Sequence, residues 1–378
     1  MERGGDAVNV HKEHCLEPSL DRERGLCVGF VGKDPRAEDA GGGEVQMAKT
    51  AEALRRLGVE IRFLTKRREM PDVDLLHLFG SRPEWLDWVE QAKRFRVPAA
   101  VSTIAWFDPA SYWSDAPTLP RKVAAMGRFA ARLAFPRLPS WRRRLYHAAD
   151  RLLPNSHAEA RQLTRLFQVR KHAIRVVPNA ADLRFAEAVR EPFVERFGIS
   201  GFVLCPGRIE PRKNQLTLIR ALGGSSAPLV ILGRAVPGYE TYAARCRREA
   251  PRDVTFIDTL PHDDPCLASA YAACGCLALV SRFETPGLVA LEAALSGAPL
   301  VLTEGGATRE YFGEFARYVN PSGLGEIRRA VVRAAASPRN PALADHVRMR
   351  YTWEETAQTT LKVYRELLGS LAWKSRAG

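Results

Sequence analysis

Nowhere in this 378-residue chain does an uninterrupted apolar run reach the roughly 18 residues that a membrane-crossing helix requires. Met1 to Gly25 is charged and polar with no apolar stretch, so it is not a secretory signal and reads as a loose extension. Cysteine is scarce: seven residues, an odd number, without disulfide-framework spacing, which fits a reducing cytoplasm. No Asn-x-Ser/Thr sequon has a permitted middle residue, since Asn320-Pro-Ser is excluded by its proline. A Gly-x-Gly-x-x-Gly fingerprint and a Walker A lysine are both missing, so neither NAD nor P-loop nucleotide binding is expected. Acidic residues are also short: 43 Asp and Glu against 56 Lys and Arg leave a net charge of +13. Such an excess suggests an anionic partner, whether a phosphorylated substrate, an anionic membrane surface or nucleic acid.

The length favours two domains. Strands are expected at Leu26–Val31, Val59–Leu64, Val73–Phe79, Ala99–Ile104, Arg151–Leu153 and Ile174–Val177. A second series follows at Phe202–Cys205, Leu229–Leu232, Val254–Ile257, Cys276–Val280, Leu300–Leu302 and Ala316–Val319. Helical patterns fall between them, among them Glu44–Leu57, His157–Phe167, Gln215–Leu222 and Tyr239–Ala250. This alternation predicts parallel sheets covered on both faces, in two doubly wound units that divide around Asp182–Ser200. Ligands of such sheets bind at the carboxyl ends of the strands, so the natural site is the cleft between the two units.

Two carboxylates stand out. Glu284 follows the strand Cys276–Val280, and Glu292, eight positions on, lies in a helix expected to start near Gly287. Together with the backbone N–H groups of Gly287 and Leu288, they offer acceptors for sugar and ribose hydroxyls and donors for a diphosphate. Arg208 and Lys213 flank a turn after the first strand of the second unit, a second place for a diphosphate. Gly41-Gly42-Gly43 lies between the first strand and its helix, where bare backbone can approach a ligand closely. Asp72-Val-Asp74 matches a metal-binding triplet but precedes an apolar strand, and Cys274-Gly-Cys276 lacks a second ligand pair. No metal site is expected.

The order Gly-Arg-x4-Lys, then Glu-x7-Glu within FETPGLVALEAALSGAPLV, then GG and RE, resembles the retaining GT-B glycosyltransferases of family 4, the glycosyl transferases group 1. HAADRLLPNSHAEARQL and IRVVPNAADLRF are similar to the end of that family's acceptor domain, and YTWEETAQTTLKVYREL to its closing helix. The resemblance spans roughly Leu26 to Leu368. It implies an α/β GT-B fold: two facing Rossmann-like doubly wound domains with an inter-domain cleft. Residues 26–185 would bind the acceptor, 195–352 the nucleotide sugar, and 353–378 would form a helix crossing back to the first domain.

The resemblance also implies site roles. Arg208 and Lys213 would hold the donor diphosphate, Glu284 the donor sugar, Glu292 the ribose, and Gly42, Gly43, Gly287 and Leu288 would complete the donor site. The reaction would be a metal-independent, retaining hexosyl transfer that needs no cofactor, from a nucleoside diphosphate sugar, with a UDP-sugar favoured. Ala105 stands where the family carries a histidine. A catalytically weak or silent sugar-nucleotide or glycan binder is therefore the alternative, and Trp106, Asp108 or His77 are the candidates for acceptor contact or proton relay. The acceptor itself (small molecule, glycan or lipid-linked) is not encoded in any motif.

Between residues 121 and 149 eight Arg and Lys are interleaved with Phe129, Phe135, Trp141 and Tyr146, and Asp and Glu are absent. One reading is a peripheral contact with the inner face of a membrane, beside a lipid-linked acceptor. Another is binding of a phosphorylated or otherwise acidic acceptor, and a third is a solvated helical face with aromatic core anchors. Nucleic acid is disfavoured, because no recognised binding module accompanies the charge.

Overall fold

The computed structural model describes residues 25–34, 41–109, 113, 118–225 and 227–374. The loose extension expected over residues 1–25 falls, except for Gly25, outside them.

The first lobe is a parallel sheet of β1 (Cys27–Val31), β2 (Glu60–Phe63), β3 (Leu75–Phe79), β4 (Ala99–Ser102) and β5 (Arg151–Leu152), in the order 2-1-3-4-5. Its helices are α1 (Gly42–Arg56), α2 (Trp85–Arg94), α3 (Leu119–Ala134), α4 (Trp141–Ala148) and α5 (His157–Phe167). After α6 (Glu191–Phe197) the second lobe alternates β6 (Val203–Pro206), α7 (Gln215–Leu222), β7 (Leu229–Leu232), α8 (Glu240–Glu249), β8 (Val254–Ile257), α9 (Pro265–Ala273) and β9 (Cys276–Leu279). It continues with α10 (Leu288–Leu295), β10 (Leu300–Thr303), α11 (Thr308–Phe312), β11 (Ala316–Val319), α12 (Leu324–Ala335) and α13 (Pro341–Arg350), and closes with α14 (Trp353–Lys374). The second sheet runs 11-10-9-6-7-8, all parallel.

β1, β3, β4, β6, β7, β9 and β10 are buried along their whole length, which is why they read as continuous apolar runs and not as alternating ones. The strand order reverses direction between β1 and β3 in the first lobe and between β6 and β9 in the second. Those reversals open the crevices in which doubly wound sheets bind ligands.

One expected strand does not form. Over Ile174–Val177 the N–H groups of Arg175 and Val177 donate to Leu152 and Pro154 oxygens, but only the bridge of Ile174 to Leu152 is made. Pro154 has no N–H to return, so the ladder stays one-sided. The Asp72/Asp74 pair has a structural use: the Asp74 carboxylate accepts the Cys27 N–H at 2.8 Å, pinning the start of β1.

α14 leaves the second lobe and packs along α1. Its Trp353, Leu361, Tyr364 and Leu367 join Val28, Phe30, Leu75 and Phe79 in one apolar core. This position of α14 corrects the expectation for His77. The residue lies mid-strand in β3, in register with Leu75 and Phe79, on the face that α14 covers, and it is 1% exposed. Its Nδ1 is 2.5 Å from the Tyr364 hydroxyl and its Nε2 2.9 Å from the Ser102 hydroxyl. It does not reach the cleft, so it cannot relay a proton there.

Burial holds the His77 imidazole down to about 3, well below its ordinary 6.5, so it is neutral in the fold. The unfolded chain therefore binds the extra proton first as pH falls. The His77 contribution to stability is whole above pH 6.5 and is lost toward pH 3, at up to about 1.4 kcal/mol per pH unit. Urea denaturation of wild type and His77→Gln at pH 7 and pH 5 is expected to show the larger loss in wild type. Equal losses would contradict a neutral core histidine.

Candidate functional site

The site is assembled from loops at the carboxyl ends of strands, where the two lobes face each other. After β6 the chain turns through Gly207–Lys213 and enters α7 at Asn214, a left-handed residue (φ 61). The Asn214 amide donates to the Val280 and Pro321 oxygens at 2.9 and 2.8 Å, tying this turn to the loops after β9 and β11. The turn thereby points Lys213 at Glu284, with Nζ 2.7 Å from Oε1.

Glu284 is 4% exposed, and Oε1 also accepts the Ser281 hydroxyl at 2.6 Å. Desolvation alone would raise its carboxyl, but the Lys213 ammonium and then the Arg212 guanidinium outweigh burial and hold it below the usual carboxylate range. Its backbone is fixed as well. The Glu284 N–H donates to the Gly305 oxygen, and the Ala307 N–H donates to the Glu284 oxygen, at 3.1 and 2.8 Å. Gly306 between them has φ 108, and a Cβ there would collide with the Glu284 backbone.

Gly287, at φ 88, turns the chain into α10, and an added Cβ would lie 3.4 Å from the Glu284 carboxylate. The N–H groups of Gly287 and Leu288 open α10, where no intrahelical acceptor exists. One turn further on, Glu292 is 5% exposed; Oε2 accepts the Tyr271 hydroxyl at 2.6 Å, and Oε1 is 3.3 Å from His262 Nε2. His262 Nδ1 lies 3.2 Å from Arg184 Nη2. A guanidinium only donates, so Nδ1 must accept and the proton sits on Nε2, aimed at Glu292.

The first lobe brings its glycine loop to this edge. A Cβ on Gly41 would sit 3.0 Å from Arg208 Nη1, one on Gly42 3.6 Å from Leu288, and one on Gly43 3.4 Å from Ile104. Bare backbone thus meets Arg208 and Leu288 across the cleft. Trp106 also reaches over: its ring stacks against Phe283 with centroids 6.4 Å apart, and Phe283 lies under Arg212. Asp108 stays half-buried on the same loop. Of the residues named from the sequence, Arg208, Lys213, Glu284, Gly42, Gly287 and Leu288 come together, with Glu292 one turn behind and Gly43 beside them. Trp106 faces them, and His77 is elsewhere.

Four residues escaped the sequence reading. Arg212 donates to the Phe283 oxygen, and Tyr271 and His262 hold Glu292. Glu159, fully buried at the first turn of α5, accepts the Thr103 hydroxyl and the N–H groups of Ala105 and Asn155, so it clamps the loop carrying Trp106. Burial pushes its carboxyl up to about 7, against these three hydrogen bonds. Only Glu159 left a local signal, the Ser156-x-x-Glu159 spacing that marks a helix start. The lobes are further joined where Glu310 accepts the N–H groups of His157 and Ala158, at 2.7 and 3.0 Å, and where Asn155 donates to the Thr285 oxygen at 3.0 Å. No cluster of three His, Cys, Asp or Glu that could hold a metal ion occurs among the described residues.

Two family models match, one to each lobe: Glycosyltransferase Family 4 over residues 40–185 and Glycosyl transferases group 1 over 191–327. Among curated proteins, a D-inositol 3-phosphate glycosyltransferase of Kribbella flavida is 31% identical over 60% of this chain and 58% of its own length. One of Xylanimonas cellulosilytica is 28% identical over 88% of this chain and 93% of its own. The chain spans a little over half the length of the Kribbella, Acidothermus and Saccharomonospora relatives. Among solved structures, sucrose-phosphate synthase from Thermosynechococcus elongatus superposes with a TM-score of 0.71 at 16% identity, covering 91% of this chain and all of that one. Anabaena Alr3699/HepE in complex with UDP-glucose gives 0.67 at 16%, covering 90% of this chain and all of that one. With a family model on each lobe and the GT-B arrangement of two facing parallel α/β sheets, the chain belongs to the family 4, group 1 glycosyltransferases.

Proposed function

We propose that the protein is a retaining glycosyltransferase that moves a hexose-type sugar from a nucleoside diphosphate sugar to an acceptor without a metal ion. The observation that carries this reading is the convergence of Lys213, Glu284 and the open end of α10 with Arg208, which faces the glycine loop across the cleft. The second lobe, 195–352, takes the donor. Arg208 and Lys213 neutralise charge on the departing diphosphate, Glu284 orients the sugar, and Glu292 accepts from the ribose. With the cations beside the leaving group, a β-phosphate oxygen can take the acceptor proton on the face where the new bond forms. Retention then needs no protein nucleophile. Contact between the lobes keeps water from the donor.

UDP is the favoured base carrier, since a neighbour of the same fold, Anabaena Alr3699/HepE, was crystallised with UDP-glucose and with UDP and glucose. The first lobe, 26–185, takes the acceptor, a small molecule, glycan or lipid-linked compound. The name of the inositol-phosphate relatives makes that compound the first to assay. A cytoplasmic location agrees with six free cysteines among the described residues, five of them buried.

The test is a thermal-shift screen over UDP-, GDP-, ADP- and dTDP-sugars, followed by product assays of wild type, Arg208→Ala and Glu284→Ala. One sugar nucleotide is expected to raise Tm. Turnover is expected to fall about 100-fold or more in Arg208→Ala. Equal turnover in both proteins would sink the mechanism. Ala105 supports the second reading, of a weak or silent binder: it stands where the family resemblance expects a histidine, and its methyl group can neither polarise a hydroxyl nor carry a proton. Binding without turnover on a broad acceptor panel is the outcome that favours it.

A further inference from the structure

α3 is a surface helix turned the wrong way for water. Its inward side is Ala125 and Phe129, and the remaining positions look outward or sideways. At 100° per residue, Leu119, Pro120, Val123, Ala124, Gly127, Ala130, Leu133 and Ala134 fall on one continuous arc. All eight are exposed, and none carries a polar atom beyond the backbone. Leu119 is 64% and Val123 60% exposed, and the chain continues into Phe135 at 65% and Leu138 at 41%. A helix of a water-soluble surface puts charged residues on that arc.

Cations border the arc on both edges: Lys122, whose ammonium lies over the Trp113 ring, on one, and arginines on the other. Arg121 and Arg128 project from the other flank of α3, Arg132 bends back to donate to the Pro136 and Leu138 oxygens, and Arg137 follows in the turn to α4. No Asp or Glu occurs between residues 116 and 149. Midway along α4, Arg144 pairs with Glu90 of α2. Arginine stems reach several ångströms sideways, so these guanidinium groups can stand at the level of phosphates while the arc faces the acyl region. An uncharged face bordered by cations matches the boundary layer of an anionic bilayer. Nucleic acid would meet the cations but leave the apolar arc unused.

We propose that α3 and the turn to α4 form a monotopic docking surface for an anionic lipid bilayer, with Leu119, Val123, Leu133, Phe135 and Leu138 entering the headgroup boundary and Arg121, Arg128 and Arg137 pairing with lipid phosphates. The surface belongs to the lobe that takes the acceptor, so docking brings that lobe against the source of a lipid-linked acceptor. Only this consequence rests on the proposed transfer reaction; the docking itself does not.

Co-sedimentation with vesicles tests it, using the full chain without donor or acceptor. The protein is expected to partition onto phosphatidylcholine vesicles holding about one third phosphatidylglycerol and only weakly onto phosphatidylcholine alone. Leu119→Ser/Val123→Ser/Leu133→Ser and, separately, Arg121→Glu/Arg128→Glu/Arg137→Glu are each expected to weaken partitioning about tenfold or more. Leu324→Ser/Val332→Ser, two exposed apolar positions of α12, is expected to leave it unchanged. All these side chains are solvent-exposed, so circular-dichroism melts should coincide and exclude misfolding. Partition that survives the triple serine change, equal binding to duplex DNA, or a dimer in sedimentation velocity that the serine changes abolish would each overturn the proposal. Failure of the product assay with vesicle binding intact would overturn only the enzymatic reading.

Discussion

Lys213→Ala is expected to lower kcat/KM by about 10²- to 10³-fold and to destabilise the protein by about 3–5 kcal/mol. Both effects come from one contact. Lys213 Nζ sits 2.7 Å from a Glu284 oxygen that is almost wholly withdrawn from water. Removing the ammonium leaves a buried carboxylate with only the Ser281 hydroxyl and the more distant Arg212, 4.0 Å away. The pair must also serve the donor, because the ammonium is one of two cations proposed to meet the leaving diphosphate. Stability and rate can be separated. In Lys213→Ala/Glu284→Gln the buried charge is gone, so most of the stability should return while turnover stays lost. Urea denaturation and initial rates on wild type and the two variants decide it. If turnover recovers together with stability, Lys213 is only a structural partner of Glu284.

The second large effect is expected at Glu292. Glu292→Ala should raise the donor KM about 10- to 100-fold with little change in kcat, since ribose contacts are equal in ground and transition states. The same change strands the Tyr271 hydroxyl, which is fully buried and bonded to Glu292 at 2.6 Å, at a stability cost of about 1–3 kcal/mol. Glu292→Gln keeps an acceptor for Tyr271 and should recover stability while binding donor less tightly than wild type. Titration calorimetry with UDP alone tests the ribose assignment, because UDP carries the ribose and lacks the sugar. Unchanged UDP affinity in Glu292→Ala would remove Glu292 from the donor site.

What could be read from the residues follows how far apart interacting groups lie in the chain. The donor half was legible because each part is local: a buried strand runs into a turn, and the turn into a helix. β6 leads to Arg208 and Lys213, and β9 leads to Glu284 and Gly287 within a few residues. The boundaries of β7 agree with its apolar run because both faces are covered, and those of the edge strands β8 and β11 agree although part of each is exposed. What failed depends on long-range docking. His77 looked free to face a cleft until α14, nearly 290 residues later, laid Tyr364 against it. Glu310 and Asn155 read as ordinary polar residues, and their work exists only once the lobes meet. The missing strand at Ile174–Val177 turned on Pro154, whose absent N–H acts on a different stretch of chain. In the 121–149 segment, Phe129 and Tyr146 are core anchors, whereas Phe135 is exposed, and composition alone could not assign them.

The last helix has a consequence for how the protein is made. Residues 353–367 supply Trp353, Leu361, Tyr364 and Leu367 to a core whose other members include Val28, Phe30 and Leu75. The first sheet therefore leaves the ribosome with one apolar face bare, and it must wait for the entire second lobe to be translated before that face is covered. At typical synthesis rates the wait is roughly 10–30 s. Over that interval the nascent first half is an expected chaperone client. The cores of the second lobe hold no residue of this helix, so it is the first lobe, made first, that is completed last.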